Sequence, residues 1–127
     1  INLSKLKSGD YTYIEEEMKA IVTVCREHTV TSKVIFENCL LSDDDKIKLC
    51  EMANEVKPDY VTPSTGFSHS GATVEDVQLM RKICHPDIQI KAAGQVRSYE
   101  TAIAMIEAGA TRIGTSATVK ILAGAKL

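Results

Sequence analysis

Hydrophobic residues along this chain switch between two spacings, and that alternation sets the architecture. Ile14, Met18, Ile21, Val22 and Cys25 recur three and four residues apart. Such spacing lines up one helical face and predicts an amphipathic helix from about 11 to 28. The β-branched and aromatic run Val34-Ile35-Phe36 follows between polar residues and reads as a buried strand. Ser42 then precedes Asp43-Asp44-Asp45, a capping residue with acids in the turn where the helix dipole favours them. Consecutive residues of a helix point away from one another, so the triplet is a helix start rather than a metal site. That helix runs through Leu49, Met52, Ala53 and Val56 to Pro58.

The same alternation then repeats. Tyr60-Val61 reads as a strand, and Thr73-Val74-Glu75-Asp76 as a capping box opening a helix with Val77, Met80 and Cys84 on its apolar side. Ile88 to Ala92 is a strand. Ser98 caps a helix through Ala102, Ile103 and Ile106, which Gly109 ends in a left-handed conformation. Thr111-Arg112-Ile113 is the last strand, and Val119, Ile121 and Leu122 suit a closing helix. Strands therefore begin near 33, 59, 88 and 111, one βα unit apart. Regular alternation of this kind gives a parallel sheet with helices outside, an α/β fold. Four strands amount to about half of a TIM-type (β/α)8 barrel, which normally takes about 250 residues. A small open doubly wound sheet is the alternative. It would want a glycine-rich loop after its first strand, and Asn38-Cys39-Leu40 supplies none.

Composition narrows the class further. The 127 residues, 44% hydrophobic and 25% charged, suffice for one globular unit over 1–127, a partial barrel by its strand count. The chain begins at Ile1 rather than methionine, so further residues are expected upstream. A net charge of −2 gives no basic field, which argues against nucleic acid as a partner. No apolar run approaches the roughly 20 residues of a membrane span, and the first residues lack the layout of a signal peptide. Cys25, Cys39, Cys50 and Cys84 form no C-x-x-C pair and read as thiols of a reducing cytoplasm. His28, His69 and His85 fall at no ligand spacing relative to them, so no metal is expected.

Polar and small residues gather just after the strands, at the end of such barrels where active sites sit. They are Glu37 and Asn38, then Thr62, Ser64, Thr65 and Gly66, then Lys91 with Gly94-Gln95, and finally Gly114-Thr115-Ser116. The last two loops are where barrels commonly hold a phosphate on backbone N–H groups. Glycine lets the backbone approach the anion, and Ser116 adds a hydroxyl donor. Lys91 lies inside the apolar run Ile90-Lys91-Ala92-Ala93. It either snorkels outward or points into the barrel. Helices cover the outer face, where a charge is costly, so the inward orientation is favoured.

These segments carry a family resemblance over nearly the whole chain. Asp59-Tyr60-Val61 and Ser64-Thr65-Gly66-Phe67-Ser68 resemble the active-site strand of the deoxyribose-phosphate aldolases. Lys33-Val34-Ile35-Phe36-Glu37 is similar to the fifth strand of that family. Ile1-Asn2-Leu3 with Leu6-Lys7-Ser8-Gly9-Asp10 resembles the end of its fourth strand and the loop after it. Gly71 to Val77 and Ala104 to Ala117 continue the match in order. The resemblance implies the C-terminal part of the barrel. It also implies cleavage of 2-deoxyribose 5-phosphate to glyceraldehyde 3-phosphate and acetaldehyde, by a Schiff-base route without metal or cofactor. On the same basis Lys91 matches the family's auxiliary lysine, whose charge keeps the nucleophilic lysine neutral. Gly94, Gly114 and Ser116 match phosphate-binding positions, with Gln95 in the phosphate loop.

Three departures bear on activity. Thr62 stands where the family has its Schiff-base lysine, and Pro63 follows where threonine is usual. Gln95 replaces the second glycine of the phosphate loop. The first three strands, with the family's proton-transfer aspartate, are not in this sequence. An inactive chain is therefore expected. Lys91 is not expected to substitute for the nucleophile: without a second cation beside it, a lysine is neutral only roughly a few times in ten thousand at pH 7. Its place on the neighbouring strand would also set the amine away from the usual attack geometry. Three readings follow: an aldolase by descent, a phosphosugar-binding or regulatory pseudo-enzyme, and a structural fragment. A phosphorylated small sugar is the expected ligand. The open strand edges lead us to expect pairing with a complementing half barrel or a second copy.

Overall fold

The computed structural model describes residues 1–125, and its elements follow from the caps and periods of the sequence. Four parallel strands form one sheet in chain order: β1 (Lys33–Ile35), β2 (Tyr60–Thr62), β3 (Gln89–Ala93) and β4 (Arg112–Gly114). Helices α1 (Leu3–Lys7), α2 (Tyr11–Glu27), α3 (Asp43–Val56), α4 (Val74–Ile83), α5 (Tyr99–Glu107) and α6 (Thr118–Ala123) accompany them, with a short 3-10 turn at Asn38–Leu40 after β1. Neighbouring helices pack in sequence, α2 on α3, α3 on α4, α4 on α5 and α5 on α6. This is the α/β arrangement that the alternation predicts. Among the described residues no helix is long and apolar enough to cross a membrane.

Each long helix starts where a short polar side chain accepts an orphan N–H. Asp10 accepts from the Tyr13 amide at 3.2 Å, Ser42 from Asp45 at 3.2 Å, and Ser98 from Thr101 at 3.1 Å. At α3 the cap is reciprocal, because Asp45 Oδ2 accepts from the Ser42 amide at 3.2 Å. Thr73 caps α4 by accepting from Asp76 at 3.1 Å, but here the capping box is only half built. Asp76 turns instead to Lys46 on α3, 2.8 Å away. Gly109 ends α5 with φ +119°. A Cβ there would lie 2.7 Å from Cγ of Arg81, whose guanidinium donates to the Ile88, Cys84 and His85 carbonyls. Glycine is needed for both conformation and space.

The start of the chain departs from expectation. Leu3–Lys7 is helical, with Asn2 capping it through Lys5 N at 3.0 Å, where a strand end and loop were expected. Five residues are too few for a helical period to show in the sequence. Ile1 keeps to the strand edge, its backbone nitrogen donating to the Ile35 carbonyl at 3.3 Å.

The core lies between sheet and helices. Val34, Val61, Ile90 and Ala92 turn outward into it, and Phe36 continues the row beyond β1. Leu49, Ala53, Val77 and Met80 meet them from α3 and α4. Cys50 and Cys84 are buried here as well. The Cys50 thiol is pushed up, first by its hydrogen bond to Cys84 and then by burial.

Candidate active site

Side chains alternate across a strand, so the residues between the outward core positions face the other way. The register places them in rows. Ile35 pairs with Thr62, and because Val61 pairs with Ile90, the next positions, Thr62 and Lys91, stand side by side. Lys91 in turn pairs with Arg112 on β4. Lys33 and Tyr60 form the row below. Lys91 thus turns away from the helices, the orientation favoured from the cost of an outward charge. Its side chain lies across Gly114: a Cβ on that glycine would be 2.7 Å from Lys91 Cε and 3.3 Å from Nζ. Gly114 is therefore small because Lys91 runs over it.

The electrostatics of this face overturn one expectation. A second cation does stand beside Lys91. Lys33 lowers its pKa most, and partial burial and the Arg112 guanidinium act in the same direction. Each of these disfavours the ammonium form. Lys33 is far from Lys91 in the chain and two strands away in the sheet, so no motif announces its influence. Arg112 lies over the Tyr60 ring, 4.4 Å from its centroid. Among the described residues, no carboxylate forms an ion pair with Lys33, Lys91 or Arg112. Thr62 is 1% exposed, and its hydroxyl oxygen has no hydrogen-bond partner.

A cavity of about 370 Å³ opens beside Lys91. Gly94, Gln95, Gly114 and Ser116 all line it, so the structure gathers the sequence-derived phosphate positions and the lysine around one space. Thr62 is not on its wall but is the ladder neighbour of Lys91. Two wall residues went unnoticed in the sequence: Arg97, an exposed cation, and Phe67, 97% exposed at the rim. Phe67 lies in the Ser64–Ser68 run quoted above, which could have pointed to it, whereas no period or motif singles out Arg97. Among the described residues the backbone N–H groups of Gly94, Gln95, Thr115 and Ser116 donate to no protein acceptor. Unpaired amides are uncommon away from water and suit an anion.

Three loops hold this wall in place. Glu37, itself left-handed at φ 62°, accepts from Thr65 N at 3.1 Å and Thr65 Oγ1 at 2.6 Å. The Ser64 hydroxyl donates to the Ala93 carbonyl, which also accepts from Ala72 N at 3.0 Å. Gly94 (φ +86°) lies against Gly66 and Gly71, and a Cβ on it would come within 2.9 Å of Gly66 Cα, Gly71 Cα and the Ser64 hydroxyl. Gln95 also has positive φ, 62°, which explains why glycine suits this position. Thr115 Oγ1 ties the last two loops together, donating to Val96 O at 2.5 Å and accepting from Ala117 N at 2.9 Å.

A larger cleft, about 570 Å³, lies between α3 and α4 and includes Asn38, Lys46, His69 and Asp76. Burial disfavours the Lys46 ammonium, but its bonds to Asp76 and Asp43 outweigh that and raise its pKa. Its lysine is thus already paired with carboxylates of the protein, unlike Lys91.

No protein-family model matches the chain. Individual proteins do. A deoxyribose-phosphate aldolase of Thermococcus gammatolerans is 52% identical over 126 residues, 99% of this chain and 56% of that protein. One from Lactobacillus acidophilus is 53% identical over 121 residues, covering 95% and 51% respectively. Among solved structures, the aldolase QR15 superimposes with a TM-score of 0.85 at 41% identity, over 94% of this chain and 53% of that one. The tetrameric deoxyribose-phosphate aldolase of Aeropyrum pernix gives 0.82 at 30% identity, over 89% and 49%. The chain spans about half the length of the relatives it matches. In sequence and in fold, it is a partial segment of the deoxyribose-phosphate aldolase family.

Proposed function

We propose that this segment binds a small phosphorylated sugar in the cavity beside Lys91 and does not carry out the family's cleavage through position 62. One observation carries the binding reading. Among the described residues, four unpaired backbone amides, Lys91 and Arg97 surround a single space, and no carboxylate pairs with Lys91. Such a set attracts an anion and leaves room for a sugar-sized body behind it.

The chemistry of Thr62 supports the second half. A lysine amine joins a carbonyl carbon as an imine, whose nitrogen can be protonated and then accept the electrons of the breaking C–C bond. A threonine hydroxyl adds to a carbonyl only as a hemiacetal, which offers no such electron sink. Thr62 is also buried and does not itself line the cavity. The chain is thus a phosphosugar-binding pseudo-enzyme with respect to that step.

Calorimetric titration tests the binding. Deoxyribose 5-phosphate is expected to bind, deoxyribose without phosphate to bind at least about tenfold more weakly, and Arg97→Ala to weaken the phosphorylated ligand alone. Equal affinity for the two sugars would contradict an anion cradle.

A further inference from the structure

We propose that Lys91 is itself an imine-forming amine, capturing the carbonyl carbon of a small aldehyde at the wall of the cavity and doing so without Thr62. The inference rests on the cavity reading above for the rest of the ligand, but the amine's reactivity is separable from it. By resemblance, the imine position of the family is residue 62; the structure points one strand further along.

Geometry is the first support. Lys91 lies over Gly114, with Cε and Nζ 2.7 and 3.3 Å from where a Cβ on that glycine would sit, and it lines the same cavity as Gly114, Thr65, Gly66 and Ser116. The second support is the company the amine keeps. Lys33 approaches from β1 and Arg112 from β4, while on β2 the Tyr60 ring is taken up by Arg112 and Thr62 carries no charge. Glu37, the carboxylate at the end of β1, is bound by Thr65. The neighbours therefore favour a neutral amine, as cationic neighbours do for other Schiff-base lysines, and the pKa of Lys91 is lowered accordingly.

The step balances without any further reagent. The neutral amine's lone pair attacks the carbonyl carbon, and the π electrons move to oxygen, which takes up a proton as nitrogen gives one up. The carbinolamine then loses its hydroxyl and the remaining N–H proton as one water, leaving the C=N bond. No oxidation occurs. The outcome is reversible capture, with no claim on C–C cleavage.

The test uses propionaldehyde, which bears no phosphate, with cyanoborohydride at pH 7, followed by peptide mass mapping over time. Exposed Lys19 and Lys120 serve as internal references. Lys91 is expected to be alkylated faster than both. Lys33→Met removes the neighbouring charge and is expected to slow Lys91 to the reference rate, while Lys33→Arg keeps the charge and the advantage. If Lys91 reacts no faster than Lys19, or if Lys33→Met leaves its rate unchanged, the proposal fails. Because the probe carries no anion, that failure leaves the phosphate titration untouched. Conversely, a cavity that ignores phosphate leaves a fast Lys91 standing.

Discussion

The two faces of the sheet are built from alternate residues of the same strands, yet they differ in kind. The outer face is Val34, Val61, Ile90 and Ala92, all buried under the helices. The inner face carries Lys33, Tyr60, Thr62, Lys91 and Arg112; among the described residues its three cations lack a carboxylate partner and one buried hydroxyl lacks a hydrogen bond. One face meets its own requirements within the chain; the other is left electrostatically incomplete. Stability resides in the first and chemistry in the second. Unsatisfied charges and strained positions of this kind are maintained only where surrounding packing holds them.

Substitutions on the two faces sharpen this contrast. Ile90 is fully buried against the helices, so Ile90→Ala is expected to cost about 4 kcal/mol in denaturant unfolding, from lost burial plus the cavity left behind. The corresponding change on the inner face has the opposite sign. Thr62→Val keeps the shape and removes an oxygen that is buried without a partner, and a gain of about 1 kcal/mol is expected. A loss at Thr62 comparable to that at Ile90 would show that the inner face is packed as tightly as the outer one.

The smallest effect lies at the opposite end of the sheet from the cavity. Asp59 accepts from Ser32 N at 2.7 Å and Ser32 Oγ at 2.8 Å, which hold its carboxyl below the ordinary value against a small opposing effect of burial. A depressed folded pKa gives stability that is complete above the unfolded value, near 3.8, and lost as pH falls through the folded one. Asp59→Asn is therefore expected to be slightly less stable than the parent at pH 7, with the gap closing below about pH 4 as both forms become neutral. A gap that does not narrow with acid would assign the difference to something other than ionisation.

Much of the outer face can be read from the sequence. Its residues follow periods of two and of 3.6, and Ser42, Ser98 and Gly109 mark helix ends through local bonds that involve only near neighbours. Lys91 was legible for a related reason, since a charge in an apolar strand has only one affordable side. The inner face was less so. Lys33 looks like an ordinary polar residue at a strand start, and only the assembled sheet lets its charge act on Lys91. The contact of Gly66, Gly71 and Gly94 likewise joins loops from two strands. Helix α1 escaped notice because it is one cap and five residues long. What was missed depends on long-range proximity, which no local period encodes.

The most direct measurement of the binding site follows backbone amide resonances during titration with deoxyribose 5-phosphate. Saturable shifts confined to Gly94, Gln95, Thr115 and Ser116, with smaller ones at Lys91 and Arg97, are expected from the unpaired donors around the cavity. Unmoved resonances at these positions, or shifts centred instead on Asn38, Lys46 and Asp76 in the larger cleft, would contradict the assignment of the site.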